Sequence, residues 1–124
     1  MITGVVDLAR REARVHLIVR GGEGRASEVE VILDTGFTEY LSLPQTTIES
    51  LRLPFVRTEE TFLSDGSTVA CGLYEGSVVW DQQERTVEVQ ASEGDPLLGM
   101  SLLLDHLVTL PVVDGGLVTI AALS

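Results

Sequence analysis

Apolar and polar residues alternate with a period of two along Ala13-Arg14-Val15-His16-Leu17-Ile18-Val19-Arg20 and again along Ser27-Glu28-Val29-Glu30-Val31-Ile32-Leu33. Successive side chains point to opposite faces only in a strand, so this pattern excludes an amphipathic helix and specifies strands with one buried face. Between them lies Gly21-Gly22-Glu23-Gly24-Arg25, whose glycines supply the positive backbone angles of a hairpin connection. A nucleotide-binding glycine loop would need a further spaced glycine opening a helix, whereas Ser27 begins a strand.

The same design recurs downstream. Phe55 to Leu63 and Thr68 to Tyr74 flank Ser64-Asp65-Gly66-Ser67, and Asp-Gly between two such runs is a strong hairpin signal. Val78 to Trp80 and Thr86 to Gln90 flank Asp81-Gln82-Gln83-Glu84, while Val108 to Val113 and Leu117 to Ile120 turn at Asp114-Gly115-Gly116. Helical spacing occurs twice. Pro44 opens Gln45 to Leu51, and after Leu97-Leu98-Gly99 the residues Leu102, Leu103, Asp105, His106 and Leu107 cover about two turns. No linker, repeat or low-complexity tract interrupts the chain, so residues 1–124 are expected to form a single, mainly β domain.

Composition removes several function classes. Eight basic residues stand against 19 acidic ones, for a formal net charge of -11, and no basic patch interleaved with aromatics is present to track a phosphate backbone. Nucleic acid is not an expected partner. All the basic residues are Arg, which excludes Schiff-base chemistry and a Lys-dependent phosphate loop. The lone Cys71 cannot form an intrachain disulfide, and with His16 and His106 far apart no metal site and no cofactor are expected. The opening residues Met1 to Asp7 have no basic segment followed by an apolar one, and no run approaches a membrane-spanning length. A cytoplasmic protein without a membrane partner is the expectation.

The residues that point to chemistry are Asp34-Thr35-Gly36, at the end of the apolar strand Val31-Ile32-Leu33. A carboxylate delivered there by a rigid strand sits in a low-dielectric surround, which suits general acid/base work. Such a tripeptide arises by chance in about one chain in twenty, so its neighbours decide its meaning. No Gly-x-Ser-x-Gly elbow is present to make His16 or His106 the base of a nucleophilic serine. Both histidines read as structural or surface residues, and Cys71 between Ala70 and Gly72 reads as a packing residue. Trp80, Tyr74 and Phe62 are expected in the core or the wall of a cleft.

Three features in order, Val31-Ile32-Leu33-Asp34-Thr35-Gly36, Leu63 to Cys71 around Asp65-Gly66, and Leu97-Leu98-Gly99 before a short helix, resemble the retropepsin-like aspartic proteases. The resemblance is to the short bacterial forms with a single catalytic motif, and it spans nearly the whole chain. It implies a closed β-barrel with a flap hairpin and one short C-terminal helix, acting as a homodimer. It makes Asp34 catalytic and gives Thr35 a hydrogen bond to the partner's catalytic loop. Gly36 goes to the approach of a substrate backbone, and Ser64, Asp65, Gly66 and Ser67 go to the flap. It also implies that Leu97, Leu98 and Gly99 thread beneath the catalytic motif, with Gly99 permitting close backbone approach. Two departures stand out: Phe37 follows the motif where Ala or Ser is common, and the flap lacks a glycine-rich tip.

Chemistry of this class needs two carboxylates sharing one proton across a water. The chain has one motif, because Asp65-Gly66 and Asp114-Gly115 lack the intervening Thr or Ser. By symmetry the second carboxylate is Asp34 of another copy, and the expected activity is hydrolysis of a peptide or protein substrate without a covalent intermediate. The alternative is a non-catalytic dimer of the same fold that binds peptide or serves as a scaffold.

Overall fold

In the computed structural model, which describes residues 1–124, the elements in chain order are β1 (Ile2–Asp7), β2 (Glu12–Arg20), β3 (Ala26–Leu33), β4 (Leu41–Leu43), α1 (Gln45–Ser50), β5 (Phe55–Phe62), β6 (Thr68–Trp80), β7 (Gln83–Ala91), β8 (Leu97–Leu98), α2 (Met100–Leu103), β9 (His106–Thr109) and β10 (Leu117–Ala122). The mainly β architecture expected from the alternation is the architecture found. The strands form one ten-stranded sheet in the order β5-β6-β7-β4-β8-β3-β2-β1-β10-β9, with an additional pairing of β2 to β6. Most neighbours are antiparallel; β3 with β8 and β4 with β7 are parallel. Neither helix is long and apolar enough to cross a membrane.

Burial follows the sequence period. On β2 the residues Ala13, Val15, Leu17 and Val19 are buried, while His16, Ile18 and Arg20 face out. The core gathers Val15, Leu17 and Val19 with Val31, Val78, Val87 and Val89, and α1 and α2 contribute Ile48 and Leu102 from their inner faces, while Ala13 packs in a smaller cluster with Val6 and Val118. β4 lies between β7 and β8, so all three of its residues are buried and alternation is absent. Ser42 at its centre is the single buried polar residue, and its hydroxyl accepts the Leu97 N–H at 3.1 Å.

Three local expectations change, and one strand is added that the sequence pattern had not marked. Ile2–Asp7 is a strand, paired on one side with β10 and on the other with β2; its Gly4 passes so close to the Arg14 carbonyl that a Cβ would stand 2.3 Å from it. β6 runs unbroken through Glu75-Gly76-Ser77, because pairing with β7 and then with β2 holds the backbone extended where composition suggests a break. The hairpin between β6 and β7 needs only Asp81 and Gln82, both at positive φ, the geometry whose twist matches flanking strands. The last helix stops at Leu103: Asp105 turns the backbone into the left-handed region (φ 65°), and His106 and Leu107 enter β9 against β10.

Two aromatic expectations divide. Trp80 is buried at 4% exposure, whereas Phe62 near the end of β5 is 78% exposed. The Trp80 Nε1–H donates to His106 Nε2 at 3.0 Å, and the His106 Nδ1–H donates to the Leu104 carbonyl at 2.8 Å. The rings meet edge to face at 5.5 Å. His106 therefore links the end of α2 and the start of β9 to the core. Replacing His106 with Ala leaves a nearly buried indole N–H without its acceptor and is expected to lower unfolding free energy by about 1–3 kcal/mol. Urea unfolding of the two proteins measures the difference.

Candidate functional site

Asp34 is positioned by strand pairing below and by a tight turn above. Ile32 and Leu33 pair in parallel with Leu97 and Leu98. The Ile32 N–H donates to the Pro96 carbonyl and the Asp34 N–H to the Leu98 carbonyl, each at 2.9 Å. Past the strand the chain turns at once: the Phe37 N–H reaches the Asp34 carbonyl at 3.1 Å, and the Gly36 N–H reaches Asp34 Oδ1 at 2.8 Å. Short polar side chains cap their own turns in this way, and here the cap fixes the carboxylate's rotation. With Oδ1 holding the Gly36 amide, Oδ2 is the oxygen left for a proton or a water. Asp34 is half-buried, while Thr35 and Gly36 are exposed.

Residues 37 to 40 lie directly on Gly99 and the first turn of α2. The Gly99 N–H donates to the Tyr40 carbonyl at 3.0 Å, the Met100 N–H to Phe37 at 2.8 Å and the Ser101 N–H to Glu39 at 3.2 Å, and Ser101 Oγ donates to the Thr38 carbonyl at 2.6 Å. Contact at Gly99 is so close that a Cβ there would stand 2.1 Å from the Glu39 carbonyl and 2.7 Å from the Phe37 ring. The bulk at Phe37 is thus turned toward Gly99.

Ser64, Asp65, Gly66 and Ser67 form the tip of the β5–β6 hairpin, away from the Asp34 turn in sequence and in pairing. The Leu63 N–H donates to the Ser67 carbonyl and Gly66 takes φ 87°. Asp65 Oδ1 accepts both the Ser67 hydroxyl, at 2.5 Å, and the Ser67 N–H, at 2.9 Å. These bonds, the hydroxyl first, favour the ionised form and hold the Asp65 carboxyl below its ordinary value of 3.8. Along β5 almost every residue is exposed, so the hairpin projects from the sheet, and an Arg57–Glu88 ion pair at 2.7 Å ties its base to β7.

Under the hairpin lies an open cleft of about 460 Å³. Its roof is Thr61, Leu63, Val69 and Cys71; its floor includes Gln45 and Gln90. Gln45 also donates to the Tyr74 hydroxyl at 3.1 Å. Asp34 does not line this cleft. Gln90 escaped the sequence reading because only the register that sets Leu73 opposite it brings β7 beneath the hairpin. Nothing local to Gln90 signals that placement. No group of three or more His, Cys, Asp or Glu side chains is arranged to hold a metal ion.

Of the residues singled out from sequence, Asp34, Thr35 and Gly36 are therefore joined to Leu97, Leu98 and Gly99, and Ser64 to Ser67 stand apart at a projecting tip. No protein-family model matches the chain, and no curated protein matches it.

Two outcomes follow from this geometry. Gly99→Ala drives a methyl group against the Glu39 carbonyl, and a loss of about 2–4 kcal/mol is expected, large enough to read as a lowered melting temperature. A carboxylate held below its ordinary value contributes order above that value and loses it as pH falls through the lowered one. NMR titration should accordingly give Asp65 a midpoint under 3.8, moving up toward it in Ser67→Ala.

Proposed function

We propose that the chain is one half of an aspartic endopeptidase, in which Asp34 and the Asp34 of a second copy hydrolyse a peptide bond between them. The observation that carries the reading is the fixed Asp34 carboxylate: one oxygen takes the Gly36 N–H and the turn around it is exposed. The turn is also set on Leu98 and Gly99 by backbone hydrogen bonds. The resemblance of Asp34-Thr35-Gly36, the Asp65-Gly66 hairpin and Leu97-Leu98-Gly99 to retropepsin-like proteases supports it, as do the β2–β6 pairing, which joins the sheet's two halves as a closed barrel requires, and the projecting hairpin. Asp65 and Asp114 sit in turns with Gly66 and Gly115 at positive φ, which leaves Asp34 as the motif's one carboxylate per chain.

In this mechanism one Asp34 is ionised and the other holds the shared proton, since two close carboxylates cannot both ionise. The ionised group takes a proton from water, whose oxygen attacks the scissile carbonyl carbon, while the protonated group donates to the carbonyl oxygen. The tetrahedral gem-diol then collapses: the carbon–nitrogen bond breaks, the leaving amine takes a proton from one carboxyl of the pair, and one gem-diol hydroxyl returns a proton to the other. Products are a carboxylic acid and an amine, with the dyad returned to its starting charge. Thr35 would bond across to the partner's loop, and the hairpin from Leu63 to Cys71 would close over the substrate and exclude water. The expected setting is cytoplasmic, with no cofactor.

One observation favours the alternative of a peptide-binding or scaffold dimer: the 460 Å³ cleft is lined without Asp34. The two readings part on a single substitution. Asp34→Asn keeps the shape of the turn and loses the base, so peptide hydrolysis is expected to fall by at least about 10³-fold with melting temperature and oligomeric state unchanged. Peptide binding with no turnover in either protein would replace the protease with the module.

A further inference from the structure

The polar groups that line the cleft beneath the β5–β6 hairpin are weighted toward acceptors. The Gln45 Nε2–H donates to the Tyr74 hydroxyl at 3.1 Å, the Gln90 Nε2–H to Cys71 Sγ at 3.9 Å, and the Thr61 hydroxyl to the same sulfur at 3.7 Å. Each group has spent a hydrogen inside the protein and keeps its own oxygen, an amide Oε1 or the Thr61 Oγ1, free to accept. Glu93 adds a carboxylate and is the only charged side chain in the lining. Arg57, the one basic residue of β5 and β6, does not oppose it, because Glu88 and Glu59 hold its guanidinium at 2.7 and 3.1 Å. Leu63 and Val69 give the wall an apolar stretch. The surroundings carry the same sign: ten of the 19 acidic residues lie between Leu53 and Asp105, against Arg57 and Arg85 alone.

We propose that this cleft is a subsite for a basic side chain of the peptide, arginine before lysine, with Glu93 as the residue that sets the preference. The inference rests on the peptide-hydrolysing reading and names the substrate class it serves. A guanidinium carries its N–H donors in a planar fork and accepts nothing, so it can serve several oxygens at once, whereas an ammonium presents its donors from a single point. Its aliphatic stem would lie along Leu63 and Val69 while the head reaches Glu93. An aliphatic side chain leaves the lining oxygens without donors, and an acidic one meets Glu93 as a like charge. At about 460 Å³ the cleft is within the range of sites that take a whole small ligand, so a long side chain has room. The negative field of residues Leu53 to Asp105 draws a cationic peptide toward the cleft before contact. Asp34 does not line the cleft, so the side chain held there lies away from the bond that is cut and acts on the choice of substrate rather than on the chemistry.

Octapeptides of alanine and valine, with one arginine, lysine, citrulline, leucine or glutamate stepped through every position, test the preference. Citrulline keeps the shape of arginine and lacks its charge. Binding is measured by fluorescence anisotropy on the full chain carrying Asp34→Asn, and cleavage on the unmodified chain. At the best position the arginine peptide is expected to bind about tenfold tighter than the citrulline peptide, with kcat/KM in the same ratio. Glu93→Gln should bring that ratio within about twofold, while Glu84→Gln, which removes the same charge at the far end of β6 and β7, leaves it unchanged. Glu93→Arg should turn the preference toward the glutamate peptide, a gain that no loss of folding produces. Cleavage without a basic preference, or a preference that survives Glu93→Gln, overturns the subsite and leaves the shared carboxylates standing. An arginine peptide that is bound through Glu93 and never cut keeps the subsite and replaces the protease with the binding module. A set of which no member is bound or cut overturns both.

Discussion

Everything around Asp34 depends on how closely two backbones can pass at Gly99. The Asp34 N–H binds the Leu98 carbonyl, and one residue later Gly99 lies against the Glu39 carbonyl with no room for a side chain. Through that contact the turn after β3 is supported along its length, from Phe37 to Tyr40, by backbone bonds to residues 99 to 101. A turn held on several backbone groups has little freedom to wander, and a carboxylate capped by its own turn amide has little freedom to rotate. The charged group is preorganised by peptide geometry rather than by a ring of other charged side chains.

That arrangement suits a chain in which most charges are spent at the surface. Arg57 with Glu88 makes an exposed ion pair and Arg14 with Glu12 and Glu30 a partly buried one, and neither set touches the Asp34 turn. Exposed pairs of this type contribute little to stability. The fold instead rests on alternating aliphatic residues of β2, β3 and β7 and on the fully buried β4, with Leu41, Leu43 and Leu98 inaccessible to solvent. Aliphatic side chains of this size give about 1.5–3 kcal/mol each on full burial, which is why a short chain with few aromatics can hold such a sheet.

What could be read from sequence was what is encoded locally. Alternation marked β2 and β3, Asp-Gly marked the hairpin tip, and an aspartate ending an apolar strand marked the capped turn, because each signal lies within a few residues of its effect. What could not be read was set by partners far away in the chain. β1 contains Gly4 and looks weak alone, yet it is held between β2 and β10. Leu104 to Leu107 carry a helical spacing that loses to the pairing of His106 and Leu107 with Ala122 and Ala121. Gln90 reaches the cleft floor only because Leu73 stands opposite it. Phe37 stood out only as a departure from the resembled motif, and it is the residue packed on Gly99.

The unbroken run of β6 has a mechanical consequence. From Tyr74 onward the strand is clamped: the Tyr74 hydroxyl takes a bond from Gln45, its ring meets Phe55 edge on at 5.5 Å, and the Glu75 N–H binds the Pro54 carbonyl. From Thr68 to Leu73 it is paired to β5, with β7 alongside only at Leu73. The hairpin is therefore a cantilever whose fulcrum lies at Tyr74 and whose free span, at about 3.3 Å per residue, reaches about 20 Å. For such a beam the sweep of the tip is governed by its length and by the stiffness of the clamp, more than by the residues at the tip itself. A change at Gln45, Phe55 or Tyr74, none of them at the tip, would retune how widely Asp65 swings.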